Sequence, residues 1–330
     1  MKLKFGVVIA TYNGEKYILE QLNSILTQSK QVCEIVVTDD GSTDSTKDIV
    51  HSFIKNNKRD ITIKFVEHSN TKSIQDNFIY GCSFFENVDY IFFCDQDDVW
   101  LENKVELFYE QIIKFNNPYF VFSDAKVVDS NLNVINKSLV NTLSDNLYTE
   151  LCDTDKSIIF LQNKTNTRAV LLWNIATGMN TCVKFELIKK YNKITKNILH
   201  DYFYFMISYF NNSVLFIPKQ SALYRQHNFN CVGVNKKKKL TQILKNKNKN
   251  IENLKSRLAD YKYIYSEILN YLTDDSKSFF ISFINFYENR IKFLTTNNFF
   301  FILFMLQKYK LFTNKWRKQI VKDLLFCLWR

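Results

Sequence analysis

The tightest constraint on this chain is a pattern repeated through its first third. Short apolar, β-branched or aromatic runs at residues 5–10, 33–38, 61–66 and 88–94 are each followed by a segment with helical periodicity. In the first such segment Tyr17, Ile18, Leu22, Ile25 and Leu26 fall on one stripe of a 3.6-residue repeat, with Glu15, Glu20 and Gln28 outside it. Strand–helix alternation at this spacing predicts βαβ units in an α/β fold, a mostly parallel sheet covered by helices on both faces. Further strands are expected near 119–123, 168–173, 213–217 and 221–226, and helices near 185–191 and from 200. The polar stretch 131–167 shows little periodicity and reads as a long excursion. In such sheets, substrates bind beyond the carboxyl ends of the strands.

Polar residues gather at those ends. The first strand runs into Thr11-Tyr12-Asn13-Gly14, the second into Asp39-Asp40-Gly41-Ser42-Thr43-Asp44, and the fourth into Asp95-Gln96-Asp97-Asp98. Three carboxylates at the rim of an apolar strand repel one another unless a cation or hydrogen-bond donors neutralise them, and hard oxygen ligands of this kind suit Mg²⁺ or Mn²⁺ shared with phosphates. The alternative is a turn with Asp98 capping a following helix, although three carboxylates exceed what one cap requires. The Asp39–Asp44 segment reads equally as a turn or as a carboxylate that accepts the imide N–H of a pyrimidine ring. His200-Asp201 precedes Tyr202-Phe203-Tyr204-Phe205, so Asp201 either caps a helix or sits beside apolar rings that raise its pKa toward that of a general base. Near the next strand end, His227 is a candidate metal ligand and Arg225 a candidate partner for a diphosphate.

Taken in order, Ala10-Thr11-Tyr12-Asn13-Gly14, the Asp39–Asp44 segment, Cys94-Asp95-Gln96-Asp97-Asp98-Val99-Trp100, Thr177-Gly178, His200-Asp201 and Tyr224-Arg225-Gln226-His227 resemble the inverting glycosyltransferases of family 2. The DQDD-x-W and YRQH-x-x-N-x-x-G patterns are similar to a rhamnosyltransferase-like branch that builds bacterial surface polysaccharides. The resemblance covers roughly residues 3–234. It implies a GT-A fold, a Rossmann-like mixed sheet flanked by helices. It further implies donor contacts from Thr11, Tyr12, Asn13, Asp39, Asp40, Asp95 and Arg225, a divalent Mn²⁺ or Mg²⁺ held by Asp95, Asp97 and His227, and Asp201 as general base. The implied donor is a nucleoside diphosphate sugar, dTDP-rhamnose or a UDP-sugar, and the implied acceptor a saccharide on a polyprenyl carrier at the inner face of the plasma membrane. Two departures stand out: Thr71-Lys72-Ser73 replaces a glycine common in relatives, and Tyr202 stands where many carry Trp.

Charge and composition separate the rest of the chain. The net charge is +11, yet residues 235–330 hold 20 Lys/Arg against 7 Asp/Glu, so the first 234 residues are slightly acidic. A nucleic-acid-binding function is therefore disfavoured, because the basic charge is confined to the tail. A nucleotidyltransferase is disfavoured by the absence of a GxxxxGK[ST] loop. The organisation expected is a catalytic domain over 1–234, a Lys/Asn-rich linker over 235–250, and a basic, aromatic helical appendage over 251–330. The apolar run 299–306, with Trp316, Phe326 and Trp329 among Lys315, Arg317, Lys318, Lys322 and Arg330, suits either an anionic membrane surface or a packed helical bundle. The apolar stretch after Met1 is too short for a signal peptide and reads as the first strand. Seven scattered cysteines without a CxxC pair read as free thiols of a reducing cytoplasm.

Overall fold

Four parallel strands, laid down where the apolar runs fall, carry the edge of the sheet on which the polar motifs meet. They are β1 (Phe5–Thr11), β2 (Glu34–Asp39), β3 (Thr62–Glu67) and β4 (Tyr90–Asp95). The computed structural model describes residues 3–68, 73–143, 159–161, 174–194, 198–227, 247–296 and 298, and the chain divides into two compact units, Met1–Val234 and Asn235–Arg330. Val7, Val8 and Ile9 of β1 and Ile35, Val36 and Val37 of β2 are fully buried, which explains why these strands read as continuous apolar runs rather than as alternations. Each such side chain contributes about 1.5–3 kcal/mol by leaving water. β3 is less deeply buried and bears the charges that suit an edge, Lys64 paired with Glu34 at 2.7 Å and Glu67 with Lys47 at 2.6 Å.

Helices α1 (Ile18–Leu26), α2 (Thr46–Asn56) and α3 (Ile74–Cys82) connect these strands. The α1 stripe buries Ile18, Leu22 and Ile25 as its periodicity requires. The Ser73 hydroxyl starts α3 by accepting from the Asp76 N–H at 3.2 Å.

The remainder of this unit comprises β5 (Val99–Trp100), α4 (Lys104–Lys114), β6 (Phe120–Val128), β7 (Val134–Asn136), α5 (Leu139–Leu143), β8 (Ile159–Leu161), a 3₁₀ turn (Gly178–Asn180), β9 (Thr181–Lys184), α6 (Phe185–Lys190), α7 (His200–Phe210) and β10 (Val214–Arg225). The sheet order is β3-β2-β1-β4-β9-β6-β10-β5, with β7 on β6 and β8 on β10. The sheet is mixed: β9 runs antiparallel to both β4 and β6, while β10 is parallel to β6. The two strands expected at 213–217 and 221–226 are one long strand, whose register against β6 shifts on either side of Gln220. Pro218 lies at the first shift, where a residue without an N–H cannot continue the ladder. The described part of the polar 131–167 stretch is not structureless, since it supplies β7, α5 and β8. The strand expected at 168–173 lies outside the described residues. All eleven residues of α7 are buried, as befits a helix that is apolar all round.

The site is positioned by register. Thr11 lies opposite Asp39, and Ala10 opposite Asp95, so the three polar motifs emerge at one level. Strand order reverses between β1 and β4, the switch point where an open α/β sheet leaves a crevice.

The second unit, in its described part, is a helical hairpin: α8 (Lys247–Ile268), a 3₁₀ turn (Leu269–Tyr271) and α9 (Asp274–Thr296). Tyr261 packs edge-on to Phe283 at 4.9 Å between ring centroids, and Tyr265 lies 5.2 Å from Phe280, so the aromatic richness of this region forms a seam between the helices. The last residues of the expected linker, from 247, are already helical. The remainder of that linker, the run 299–306 and the Trp/Lys cluster beyond it lie outside the described residues. Among the described residues, no helix is long and apolar enough to cross a membrane. Cys33, Cys82, Cys94 and Cys182 are free thiols.

Candidate active site

The mouth of the crevice is zipped by Gln96. Its Oε1 accepts from the Thr11 hydroxyl at 2.5 Å and from the Tyr12 N–H at 2.9 Å, while its Nε2 donates to the Tyr12 carbonyl at 3.1 Å. A side chain at position 14 would collide with the Gln96 amide and the Thr11 hydroxyl, so Gly14 is required for this approach. Asn13 adopts a left-handed conformation, φ 49°, and ties this loop to the next: its N–H donates to Ser42 Oγ at 2.8 Å and its Oδ1 accepts from the Thr43 N–H at 2.9 Å. Tyr12 is half-exposed at the rim.

The Asp39/Asp40 pair divides. Both oxygens of Asp39 serve its own turn, accepting from the N–H groups of Gly41 and Ser42 and from the Ser42 hydroxyl at 3.1, 2.8 and 2.5 Å. Asp39 thus shapes the loop, and Asp40 is buried beside it.

Asp98 caps no helix, for α4 begins only at Lys104. Its Oδ1 accepts from the Arg225 N–H at 2.8 Å, which joins the acidic loop to the end of β10. The Arg225 guanidinium is 2% exposed and fully engaged: Nε donates to the Asp97 carbonyl at 2.7 Å, one terminal nitrogen to the Ser130 carbonyl at 2.8 Å and the other to Glu20, while the group lies 4.5 Å from the Tyr17 ring centroid. This corrects the expectation that Arg225 faces a diphosphate. A buried fork whose donors are committed to protein oxygens holds the loop rather than a ligand.

That clamp sets Asp97 against His227, with Asp97 Oδ2 and His227 Nε2 at 2.7 Å and the imidazole 5.0 Å from the Tyr17 ring. One carboxylate oxygen and one imidazole nitrogen side by side fit two adjacent positions of an octahedral cation whose other positions are filled by phosphate oxygens and water. Among the described residues, no three His, Cys, Asp or Glu side chains cluster closely enough to hold an ion by themselves. Asp95 ends β4, and its pKa is pushed up to about 7 by burial first and then by the charges of Asp97 and Asp201, with Lys104 opposing.

Asp201, in the first turn of α7, is buried. Its Oδ1 accepts from the Tyr202 N–H at 2.6 Å and from Asn174 Nδ2 at 2.9 Å, and the Gly178 N–H also donates to the carboxylate. Burial raises its pKa to about 6 against these three donors. His200 is packed between Phe78 and Phe93 at 4.2 and 4.5 Å, and neither ring nitrogen has a partner among the described residues. Burial therefore lowers its pKa to about 3 and keeps it neutral. A Cβ at Gly178 would lie 3.0 Å from His200 Nε2 and 3.5 Å from Asp201 Oδ2, so the glycine lets the turn approach the carboxylate.

Three contributors were not singled out by their sequence context: Gln96, Asn174 and Lys104. The Lys104 ammonium is wholly buried, donates to Met179 O at 2.9 Å and Asn180 Oδ1 at 3.1 Å, and lies 4.3 Å from the Trp100 ring centroid. Burial lowers its pKa to about 8. Its signal lay in periodicity, since Lys104, Phe108, Gln111 and Ile112 share the buried stripe of α4.

With this geometry in place, the similarities are informative. Residues 6–139 match the model of the family Glycosyl transferase family 2. These residues form a glycosyl transferase family 2 domain. The chain is 27% identical over 277 residues to a dTDP-rhamnosyl transferase, RfbG of Shigella flexneri, an alignment covering 79% of this chain and 88% of that one. Among solved structures, it resembles residues 1–349 of TarS of Staphylococcus aureus in complex with UDP-GlcNAc, with a TM-score of 0.59 at 20% identity over 90% of this chain and 75% of that one. It also resembles the mannosyltransferase PcManGT of Pyrobaculum calidifontis in complex with GDP-Man and Mn²⁺, with a TM-score of 0.52 at 13% identity over 100% of this chain and 88% of the other. These likenesses identify the fold as GT-A.

Replacing Arg225 by Ala strands the carbonyls of Asp97 and Ser130 and unpairs Glu20. We expect a loss of about 3 kcal/mol in urea denaturation, only partly recovered by Arg225→Lys, which lacks the planar fork. An unchanged midpoint in Arg225→Ala would show that the guanidinium does not hold the loop.

Proposed function

We propose that this enzyme transfers a sugar from a nucleoside diphosphate donor to a hydroxyl of a saccharide acceptor, inverting the anomeric carbon, with Asp201 as general base. The observation that carries the reading is the state of Asp201: buried at the crevice, oriented by three N–H donors and raised to about 6, it is ionised near neutrality yet basic enough to take a proton. Asp201 removes the acceptor hydroxyl proton, the oxygen bonds to the anomeric carbon from the face opposite the leaving group, and the bond to the diphosphate breaks with its electron pair on the diphosphate.

Thr11, Tyr12, Asn13 and Asp40 line the donor's nucleoside end in this reading, with Asp95 toward the ribose. Asp97 and His227 would hold Mn²⁺ or Mg²⁺ against the diphosphate, where the cation offsets charge developing on the leaving group. The extended alignment with RfbG favours dTDP-rhamnose as donor. The likeness to TarS with bound UDP-GlcNAc supports a second reading, a UDP-N-acetylhexosamine. The acceptor is taken to be a polyprenyl-linked saccharide at the cytoplasmic face of the membrane, with the basic, aromatic 251–330 region against anionic lipid.

Asp201→Asn is expected to abolish transfer while leaving donor binding, read by calorimetry, unchanged. Because the base acts only when ionised, turnover of the wild type should rise with pH through about 6. Near-normal turnover in Asp201→Asn removes the residue from the mechanism. Donor affinity should fall at least tenfold on chelation of divalent metal and in Asp97→Asn, and a titration indifferent to both overturns the metal assignment. Full-length protein should sediment with vesicles containing phosphatidylglycerol and be released by salt. Equal recovery with neutral phosphatidylcholine vesicles, or with none, argues for a soluble appendage.

A further inference from the structure

Asn174 stands at the threshold of the turn that closes on the base. The next two residues, Ile175 and Ala176, are buried and anchor the backbone, and the Thr177 carbonyl accepts from the Asn180 N–H at 2.9 Å to form the Gly178–Asn180 turn. From this fixed point, the Asn174 amide reaches across 27 positions of sequence and donates to Asp201 Oδ1 at 2.9 Å. Its own Oδ1 is buried and has no partner among the described residues. An amide with its acceptor unsatisfied costs stability, which the bond from its N–H to Asp201 offsets in part. The described engagement of this side chain is the carboxylate of Asp201.

From this arrangement, and resting on the assignment of Asp201 as base, we propose that Asn174 is a positioning residue that fixes the orientation in which the Asp201 carboxylate meets the acceptor hydroxyl. Two donors, Asn174 Nδ2 and the Tyr202 N–H, converge on Oδ1 and fix the carboxylate plane. Oδ2 lies on the Gly178 side of the carboxylate, so the group is held from both sides. With Asn174 removed, the carboxylate can rotate about its Cβ–Cγ bond, and the near-attack geometry is populated for a smaller fraction of the time. The titratable groups facing Asp201 are Asp95 from β4 and His200 from α7 itself, and neither carries a proton donor to Oδ1 in this structure.

The test separates positioning from packing by comparing substitutions in the full-length protein. Asn174→Asp keeps the shape but replaces the donor with a second carboxylate facing Asp201, whereas Asn174→Ser shortens the side chain but keeps a donor. We expect kcat to fall roughly 10- to 100-fold in Asn174→Asp and Asn174→Ala and to recover in part in Asn174→Ser, with donor KM and melting temperature close to wild type in all three. Wild-type kcat in the folded Asn174→Asp variant, alongside an inactive Asp201→Asn, overturns the inference while leaving the base intact. Turnover by Asp201→Asn overturns the reading beneath it. A loss that follows residue volume, with Asn174→Asp near wild type and Asn174→Ser and Asn174→Ala equally impaired, assigns Asn174 to packing and also overturns the inference.

Discussion

A lysine with no access to water is the interaction on which the site depends. The Lys104 ammonium lies beneath the acidic loop, and its charge opposes the burial and mutual repulsion that raise the pKa values of Asp95 and Asp98. An isolated buried ammonium would shed its proton or remain hydrated; here the Met179 carbonyl, the Asn180 amide oxygen and the Trp100 ring supply what water would have. The same two hydrogen bonds fix the turn that presents the Gly178 N–H to Asp201. One cation therefore organises both sides of the crevice, the carboxylates of the acidic loop and the turn beside Asp201.

Asn180 extends this dependence into the sheet. Its Oδ1 accepts from Lys104 and from the Ser221 hydroxyl at 2.8 Å, and its Nδ2 donates to the carbonyls of Ser123 and Asp124 at 2.6 and 2.7 Å. β6, β10 and the turn are thereby joined through one satisfied amide in an otherwise apolar interior. Low dielectric strengthens each of these bonds and penalises any that is left open, so the network either forms complete or costs more than an apolar core would. Arg225 plays the corresponding part at the crevice wall, where its fork and its own N–H bind the acidic loop to β10 and to α1.

How far the sequence revealed this depends on whether a residue acts through its neighbours in the chain or through distant ones. The parallel strands were legible because their burial on both faces leaves an uninterrupted apolar run, and the motifs at their ends because a parallel register places Thr11, Asp39 and Asp95 at one level. Pattern alone did not separate Asp39 from Asp40, since the difference lies in which carboxylate folds back onto Gly41 and Ser42. Arg225 looked like a ligand residue because strand ends in such folds face substrate. The shifted register around Gln220 and the commitments of Asp97, Ser130 and Glu20 turn it inward, and none of these partners is near it in sequence. Asn174 gave no local sign at all, as its role exists only once α7 has packed.

Several buried polar atoms at the crevice have no partner among the described residues. Among the described residues, the buried polar atoms without partners include Asp98 Oδ2, Asn174 Oδ1 and both nitrogens of His200, together with others elsewhere such as Gln21 Oε1, Gln111 Oε1 and Ser208 Oγ. A native interior satisfies most of its polar atoms, so each of these open groups costs stability. His200 shows this most plainly. An imidazole held neutral between two phenylalanines adds no charge beside Asp201 and lets the turn at Gly178 approach, so Asp201 keeps its raised pKa from burial rather than losing it to a neighbouring cation. A lysine or arginine there would hold Asp201 ionised but too weakly basic to accept a hydroxyl proton readily, and a second carboxylate would raise its pKa until it was protonated at neutral pH. The buried, uncharged ring lies between those two failures.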